Sequence, residues 1–362
     1  MSLVVTIVSF VIVLSILVLA HELGHFLVGR WAGARIEEFA IGFPPRVWSR
    51  RRGETDYSIN AIPLGGYVRF AGEDGPEVSG GLSSLPRIKR ALVLVAGVSM
   101  NIILAVLIYA LIFATGSPTL APKDGVKLAT INSGAPADQA GLKPGDIILQ
   151  VNGQTVTTVD SFSAAVRSMA GQEMTFGIQR ADGQAETVKL TPRADPPQGE
   201  GPMGVSIEQN GVSEIRRYPL LQSLQMGAQE TWRITALTFS VPVMIVRGML
   251  PVQDARPIGP LGIARYVGST TQAIPTVGFW PILQLMAMLS VGLAIANILP
   301  LPGLDGGRLL FVIIEWLRRG KRLNPEREAV LHFAGLMFFM AIVVVITYFD
   351  IVSPAPSLNF VP

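Results

Sequence analysis

The chain has 362 residues, of which 49% are hydrophobic and only 15% are charged, and its mean hydropathy is +0.45. Because soluble domains average about 25% charged residues, this composition excludes an ordinary soluble enzyme, and the wealth of aliphatic residues excludes a disordered chain. The net charge of +3 gives no argument for a nucleic-acid partner, and the absence of cysteine excludes disulfides, iron–sulfur clusters and thiolate zinc sites.

Four long apolar segments predict membrane-spanning helices. Residues 1–20 carry no charge and lack both a positive n-region and a small-residue cleavage site, which argues against a signal peptide. Since about 20 helical residues cross a bilayer, the first span is predicted over residues 4–28. The other three are predicted over residues 91–114, 279–299 and 330–349.

A fifth apolar stretch, residues 234–246, is too short for a regular span and contains Pro242. Residues 220–233, which precede it, mix apolar with polar and charged side chains. Together the two stretches predict an amphipathic helix that lies on the membrane surface.

The distribution of basic residues predicts the orientation. Basic residues are concentrated in two loops, at Arg30, Arg35, Arg46, Arg50, Arg51, Arg52, Arg87, Lys89 and Arg90 in the first and Arg318, Arg319, Lys321 and Arg322 in the second. By the positive-inside rule both loops are cytoplasmic, so that the termini and residues 116–275 lie outside.

The chemistry is predicted within the first span, where His21-Glu22-Leu23-Gly24-His25 forms an H-E-x-x-H motif. Residues i and i+4 share one face of a helix, so His21 and His25 can bind one zinc ion, with Glu22 beside them as a general base. A glutamate in a membrane span is costly and indicates function, although a polar helix end that reaches the interface is the structural alternative.

Residues 133–153 resemble the PDZ domain of bacterial proteases, following its pattern SPA…AGL.PGD.I..VNG. The domain is expected over residues 126–207, with core contacts from Leu142, Ile147, Ile148, Leu149 and Val151. PDZ domains bind peptide ends by adding a strand to a sheet edge. A steric gate or a packing spacer is the alternative role.

Two histidines do not complete a zinc site, and a third ligand is needed. His332 is one candidate and Asp305 is the other. Asp305 follows Pro300, Pro302 and Gly303, which break the third span where its apolar run ends. Irregular backbone at membrane depth is tolerated only where protein or a water-filled cavity surrounds it. With four spans, Asp305 and the H-E-x-x-H motif reach the same leaflet.

The whole chain resembles the site-2 protease family, in a short form of its bacterial RseP-type branch with a single PDZ domain. The resemblance is carried by H-E-x-x-H in the first span, by Asn297-Ile-Leu-Pro-Leu-Pro-Gly-Leu-Asp-Gly-Gly307, and by Ile62-Pro-Leu-Gly-Gly-Tyr-Val68, which is similar to the family's membrane re-entrant β-loop. Residues 258–264 are similar to a further family segment. The family motif A-G-P-x-x-N lacks its proline here, at Ala96 to Asn101.

The resemblance implies an intramembrane zinc metalloprotease. His21, His25 and Asp305 would bind Zn²⁺, and Glu22 would be the catalytic base. Asn297 would hold the substrate backbone, or else serve as a helix-packing amide. Gly65 and Gly66 would belong to a loop that pairs with an extended substrate, or else to a plain turn.

The fold class expected is a polytopic α-helical membrane protein with four spans, a re-entrant β-loop and an inserted extracytoplasmic PDZ domain of α/β type. Its expected parts are the N-terminal membrane part at 1–115, the PDZ domain at 116–210, the membrane-surface segment at 211–275 and the C-terminal membrane part at 276–362. The expected location is the bacterial inner membrane, with the active site near the cytoplasmic leaflet.

The expected partners are the lipid bilayer, single-span membrane proteins already trimmed outside, such as anti-sigma factors and remnant signal peptides, and a peptide ligand of the PDZ domain. Two other functions are alternatives. A catalytically silent PDZ scaffold would have no reason to keep His21, Glu22, His25 and Asp305 together. A metal transporter would need charged residues or histidines spread over several spans, and the second and fourth have almost none.

Overall fold

The computed structural model describes residues 3–72, 78–197, 200–250, 256–321 and 325–354. Arg322, one of the basic residues behind the predicted orientation, lies outside these ranges. The chain divides into two units, one made of Met1–Ser117 with Arg217–Pro362 and the other of Pro118–Arg216. Each unit is described by itself.

The first unit is helical apart from one hairpin. Its helices are α1 (Leu3–Ala32), α2 (Arg87–Thr115), α5 (Leu220–Val246), α6 (Pro260–Val277), α7 (Trp280–Ile298), α8 (Asp305–Leu317) and α9 (Pro325–Val352). Within the described residues, α1, α2, α7 and α9 are long and apolar enough to cross a membrane. The prediction of four membrane helices is therefore confirmed.

Glycines mark the end of α1 and allow its close contact with α2. Gly33 follows α1 with φ of +86°, a left-handed conformation typical of the residue after a helix. Inside α1, a Cβ at Gly24 would lie 2.3 Å from the carbonyl oxygen of Ala96 in α2. Only a glycine allows the two backbones to approach so closely, which is the usual device of membrane helix packing. Helix α2 also contacts α5, α7 and α8 and so lies at the centre of the unit.

The hairpin follows α1 and consists of β1 (Ile36–Arg52) and β2 (Thr55–Phe70), paired antiparallel. It packs along α1, where Ser15 Oγ donates a hydrogen bond of 2.6 Å to the carbonyl oxygen of Pro63. A Cβ at Gly65 or Gly66 would collide with the side chain of Val18 or Leu19, respectively. The two glycines therefore allow β2 to lie directly on the helix that carries the H-E-x-x-H motif.

A buried carboxylate fastens the hairpin internally. Glu38 in β1 accepts hydrogen bonds from Arg46, Arg69 and Ser58. Burial opposes ionisation of Glu38, but hydrogen bonds from Ser58 and Tyr67 and the positive charges of the two arginines outweigh it and lower the pKa of its carboxyl. The hairpin is thus held together by an ionised group at neutral pH.

Three helices of this unit differ from simple spans. Helix α5 is continuous through residues 220–246 and packs on α2, with Gly227 against the backbone of Val106 and Ala110.

Helices α6 and α8 were not predicted. The N-terminus of α6 is held by Asp350 of α9, whose buried carboxylate accepts hydrogen bonds from the backbone N–H groups of Gly259 and Gly262.

The second unit is a β-sheet domain with two short helices, and we call it the PDZ-like unit after the sequence motif it contains. Its elements are β3 (Ser117–Ile131), α3 (Pro136–Gln139), β4 (Ile147–Val151), β5 (Gln154–Thr155), α4 (Val159–Ser168), β6 (Met174–Gln179), β7 (Ala185–Leu190) and β8 (Val205–Arg216). The strand order is β7-β6-β4-β3-β8, with β5 paired to β4.

The core of the PDZ-like unit contains three of the five residues predicted for it. Leu142, Ile148 and Val151 are buried, whereas Ile147 and Leu149 are half-buried. Neighbouring side chains of a strand point to opposite faces, so Ile147 and Leu149 lie opposite Ile148. A register shift between Ile148 and Gln150 in the pairing with β6 then returns Val151 to the core.

Candidate metal centre

The H-E-x-x-H motif lies in the second half of α1, a helix whose residues are almost all apolar. His21 and His25 are one turn apart on one face, and each is 7% exposed. Glu22 is half-buried on the adjoining face. Two imidazoles are thus brought together inside a helix that can span a membrane.

Asp305 reaches the same place from the other end of the chain. It is the first residue of α8, after the turn that Pro300, Pro302 and Gly303 form at the end of α7. Its Oδ2 lies 2.9 Å from His21 Nε2 and 3.1 Å from His25 Nε2. The two Nε2 atoms are 3.1 Å apart. Among the described residues, this is the one group of three side chains with the spacing for a metal ion.

These residues fit a zinc ion. When each imidazole carries its proton on Nδ1, the two Nε2 atoms and the carboxylate oxygen are all acceptors, and a cation between them satisfies all three. Bonds of about 2.0–2.1 Å to a tetrahedral zinc place its ligand atoms roughly 3.3 Å apart, close to the separations observed. Three protein ligands with one open position are typical of catalytic rather than structural zinc.

Helix α2 keeps the space beside the ligands open. A Cβ at Gly97 would lie 2.4 Å from His25 Nε2 and 2.8 Å from His21 Nε2. No larger residue fits there unless the imidazoles move. The absent side chain therefore leaves room for an ion next to the two Nε2 atoms.

Helix α2 also engages the far nitrogens of both imidazoles. His25 Nδ1 donates a hydrogen bond of 2.8 Å to the carbonyl oxygen of Val93, and His21 Nδ1 lies 3.2 Å from Asn101 Nδ2. Sequence reasoning gave these α2 residues no role. The signal was present, because Val93, Gly97 and Asn101 recur every four residues and so share one face of the helix.

Glu22 contacts the hairpin. Its Oε2 accepts a hydrogen bond of 3.1 Å from the backbone N–H of Val68 in β2. Because Val68 follows Gly65 and Gly66 by only a few residues, the strand predicted to bind substrate also contacts the predicted base. Gly66 itself is paired with Ile41 of β1.

A cavity of about 250 Å³ opens beside His21 and Asp305. Glu22 and Asn297 line it, together with the apolar side chains of Val18, Leu293 and Leu304. The amide of Asn297 donates a hydrogen bond of 3.0 Å to the carbonyl oxygen of Leu293, which fixes its orientation on α7. The cavity can therefore hold a mostly apolar peptide segment next to a polar group.

His332, the alternative third ligand, lies elsewhere. Its Nδ1 accepts a hydrogen bond of 3.0 Å from the backbone N–H of Gly303, and its ring packs edge-on against Phe311. His332 thus contacts the turn that precedes Asp305 and is not part of the cluster with His21 and His25.

Comparison with known proteins gives consistent matches. The model of peptidase family M50 matches residues 9–342. The chain is 31% identical to the zinc metalloprotease RasP of Oceanobacillus iheyensis, over 96% of this chain and 98% of the relative. It is 29% identical to the RasP of Geobacillus kaustophilus, over 96% and 97%.

Among solved structures, the PDZ domain of the SdrC-like protein from Listeria innocua is 20% identical to part of the chain. The match covers 24% of this chain and 97% of that domain, with a TM-score of 0.22.

Proposed function

The chain belongs to peptidase family M50 and is a multi-pass membrane zinc metalloprotease, and we propose that it cleaves other membrane proteins within their spanning segments. The observation that carries this proposal is the position of the metal centre. His21 and His25 are buried in α1, which can itself span a membrane, and the cavity beside His21 is lined by apolar as well as polar side chains. A substrate at this depth is itself a membrane segment.

The proposed ligands of zinc are His21, His25 and Asp305. Zinc bound there would supply Lewis-acid chemistry, which makes water a nucleophile at neutral pH. The carboxylate of Glu22 would take the proton of the attacking water and then donate it to the nitrogen of the leaving amine. The side-chain amide of Asn297, which lines the cavity, would hold the substrate backbone.

Substrate must be extended at the site of cleavage. A helical segment has its backbone groups satisfied internally, and its peptide bonds are shielded by side chains. Residues around Gly65 and Gly66 would offer backbone groups with which an unwound segment pairs. The contact between Val68 and Glu22 supports this assignment, because it joins that strand to the base.

We also propose an orientation. The basic loops after α1 and before α9 would be cytoplasmic, with the PDZ-like unit on the opposite side of a bacterial plasma membrane. The active site would then lie near the cytoplasmic leaflet. Suitable substrates are single-span proteins trimmed outside by another protease, including anti-sigma factors and remnant signal peptides.

The PDZ-like unit would act as the filter that recognises trimmed substrates. Its strand β8 lies at one end of the sheet order and contacts α4. A free peptide end can add to such an edge. A purified substrate with a bulky outer domain should be cleaved more slowly than its trimmed form, and equal rates for the two would contradict the filter.

Cleavage of a trimmed single-span reporter in detergent tests the proposed function. The wild type is compared with Glu22→Gln and with the matched control Glu37→Gln, which changes an exposed glutamate of β1. Zinc content is measured for all three. We expect about one zinc per chain throughout, with cleavage lost only in Glu22→Gln. A wild type that binds no zinc, or a Glu22→Gln variant that cleaves normally, would overturn the proposal and favour a silent scaffold.

A further inference from the structure

Asn101 is fully buried in the middle of α2, a helix that can span a membrane. Burying an amide in such surroundings is costly unless its polar atoms are hydrogen-bonded. Its backbone carbonyl accepts a hydrogen bond of 2.8 Å from Ser290 Oγ of α7. Its side chain faces the metal centre, with Nδ2 3.2 Å from His21 Nδ1, while Oδ1 is buried without a partner among the described residues.

The position of the proton on the His21 ring decides which hydrogen bond Asn101 makes with it. A neutral imidazole carries one proton, and the nitrogen that binds a metal must be the other one. Since Nε2 of His21 faces Asp305 and His25, metal binding at Nε2 places the proton on Nδ1. That N–H is buried and needs an acceptor.

Asn101 can supply this acceptor. The two ends of an amide have almost the same shape, and a rotation of 180° exchanges Oδ1 with Nδ2 in place. In the rotated state Oδ1 accepts the Nδ1–H of His21, at the distance now found for Nδ2. His21 then matches His25, whose Nδ1 already donates to the carbonyl oxygen of Val93.

We propose that Asn101 is a positioning residue of the metal centre, which accepts a hydrogen bond from His21 Nδ1 through its side-chain oxygen and thereby holds His21 for zinc. The inference rests on the proposed assignment of His21, His25 and Asp305 as zinc ligands. Acceptors of this kind fix the orientation of a ligating imidazole and raise its basicity, and their loss costs about 10- to 100-fold in metal affinity.

Two substitutions separate hydrogen bonding from packing. Asn101→Leu keeps the branching at Cγ and removes the acceptor, whereas Asn101→Asp keeps the shape and supplies an acceptor only. Ser290→Ala is the matched control, because it removes a hydrogen bond to the backbone of Asn101 without touching His21. The full-length protein in detergent is used throughout, and thermal unfolding of the metal-free form shows that each variant is folded.

The measurement is the zinc dissociation constant, obtained by competition with a chelator, together with the visible absorption bands of the Co²⁺-substituted protein. We expect Asn101→Leu to raise the constant about 10- to 100-fold and to alter the Co²⁺ bands. Asn101→Asp and Ser290→Ala should bind zinc as the wild type does.

Equal zinc affinity in Asn101→Leu and the wild type would overturn the inference. A similar loss in Asn101→Leu and Asn101→Asp would also overturn it, since packing alone would then be at work. Failure of the wild type to bind metal at all would instead reject the proposed zinc site.

Discussion

Replacing Gly97 by alanine adds one methyl group to α2 at the point where it faces the metal ligands. The new Cβ would lie 2.4 Å from His25 Nε2, and 2.7 and 2.8 Å from Cε1 and Nε2 of His21. Non-bonded heavy atoms are comfortable at roughly 3.5 Å. One or both imidazoles must therefore move by about 1 Å.

A movement of this size exceeds what the site tolerates. Functional side chains must stay within about 0.5 Å of their productive geometry, and metal–ligand distances within about 0.2 Å. We therefore expect the zinc dissociation constant to rise at least ~100-fold. This is the upper limit of the effect expected when a metal-binding imidazole only loses its hydrogen-bond partner. Cleavage should be lost in parallel. Alanine has a higher helix propensity than glycine by about 1 kcal/mol, so α2 itself should form readily.

Chelator competition and cleavage of the trimmed reporter measure the two effects. Gly292→Ala is the matched control, because it makes the same change inside α7, where the added Cβ meets no atom within 4 Å. The control should bind zinc and cleave as the wild type does. If Gly97→Ala kept both wild-type affinity and wild-type cleavage, the placement of α2 against the two imidazoles would be refuted.

Three further changes test other contacts. Glu315→Ala leaves Arg90 buried without its ion-pair partner and should lower the free energy of unfolding by about 3–5 kcal/mol, measured by denaturation in detergent; an unchanged midpoint would contradict this. Val68→Pro removes the N–H that donates to Glu22 and should lower kcat with zinc content unchanged, whereas Val68→Ala, which keeps that N–H, should not; equal kcat in both would reject the contact. Glu38 has a lowered pKa in the folded protein, so its carboxylate stabilises the fold above the unfolded-state pKa of roughly 4.3 and loses this effect as the pH falls through the folded-state pKa. Glu38→Gln should therefore be less stable than the wild type at pH 7, and a thermal unfolding difference that does not shrink in acid would refute the sign.

The membrane helices could be predicted from sequence because each depends on a long apolar run, which is a local property. The confirmed helices α1, α2, α7 and α9 extend the predicted ranges by a few residues or trim them by one. A zinc site could be predicted for the same reason, since the spacing of H-E-x-x-H places two histidines on one face of a helix. Helix α8 was missed because the prolines and glycines before Asp305 mark the end of α7, and they carry no sign that a new helix starts there.

Contacts between distant segments could not be predicted in the same way. Gly97 and Asn101 share one face of α2, but the sequence does not show that this face packs against the two histidines of α1. The hydrogen bond from Val68 to Glu22 depends on where the hairpin lies on α1, and hydrophobic patterning does not encode this. Ile147 and Leu149 were wrongly expected in the core, because the run of apolar residues in β4 suggested that both faces of the strand are buried. The core of the PDZ-like unit covers only one face of this strand.

Helix α2 connects these observations. Along one face it presents Arg90 to Glu315 of α8, the carbonyl of Val93 to His25, the bare backbone of Gly97 to both imidazoles, and Asn101 to His21. The spacing of three, four and four residues keeps all four positions on that face. Helix α1 supplies two of the proposed ligands and α8 supplies the third, so each helix is aligned against the same neighbour. The distances between the three proposed ligand atoms must be correct to within a few tenths of an ångström. Helix α2 contributes no ligand, but it fixes these distances because both α1 and α8 pack against it.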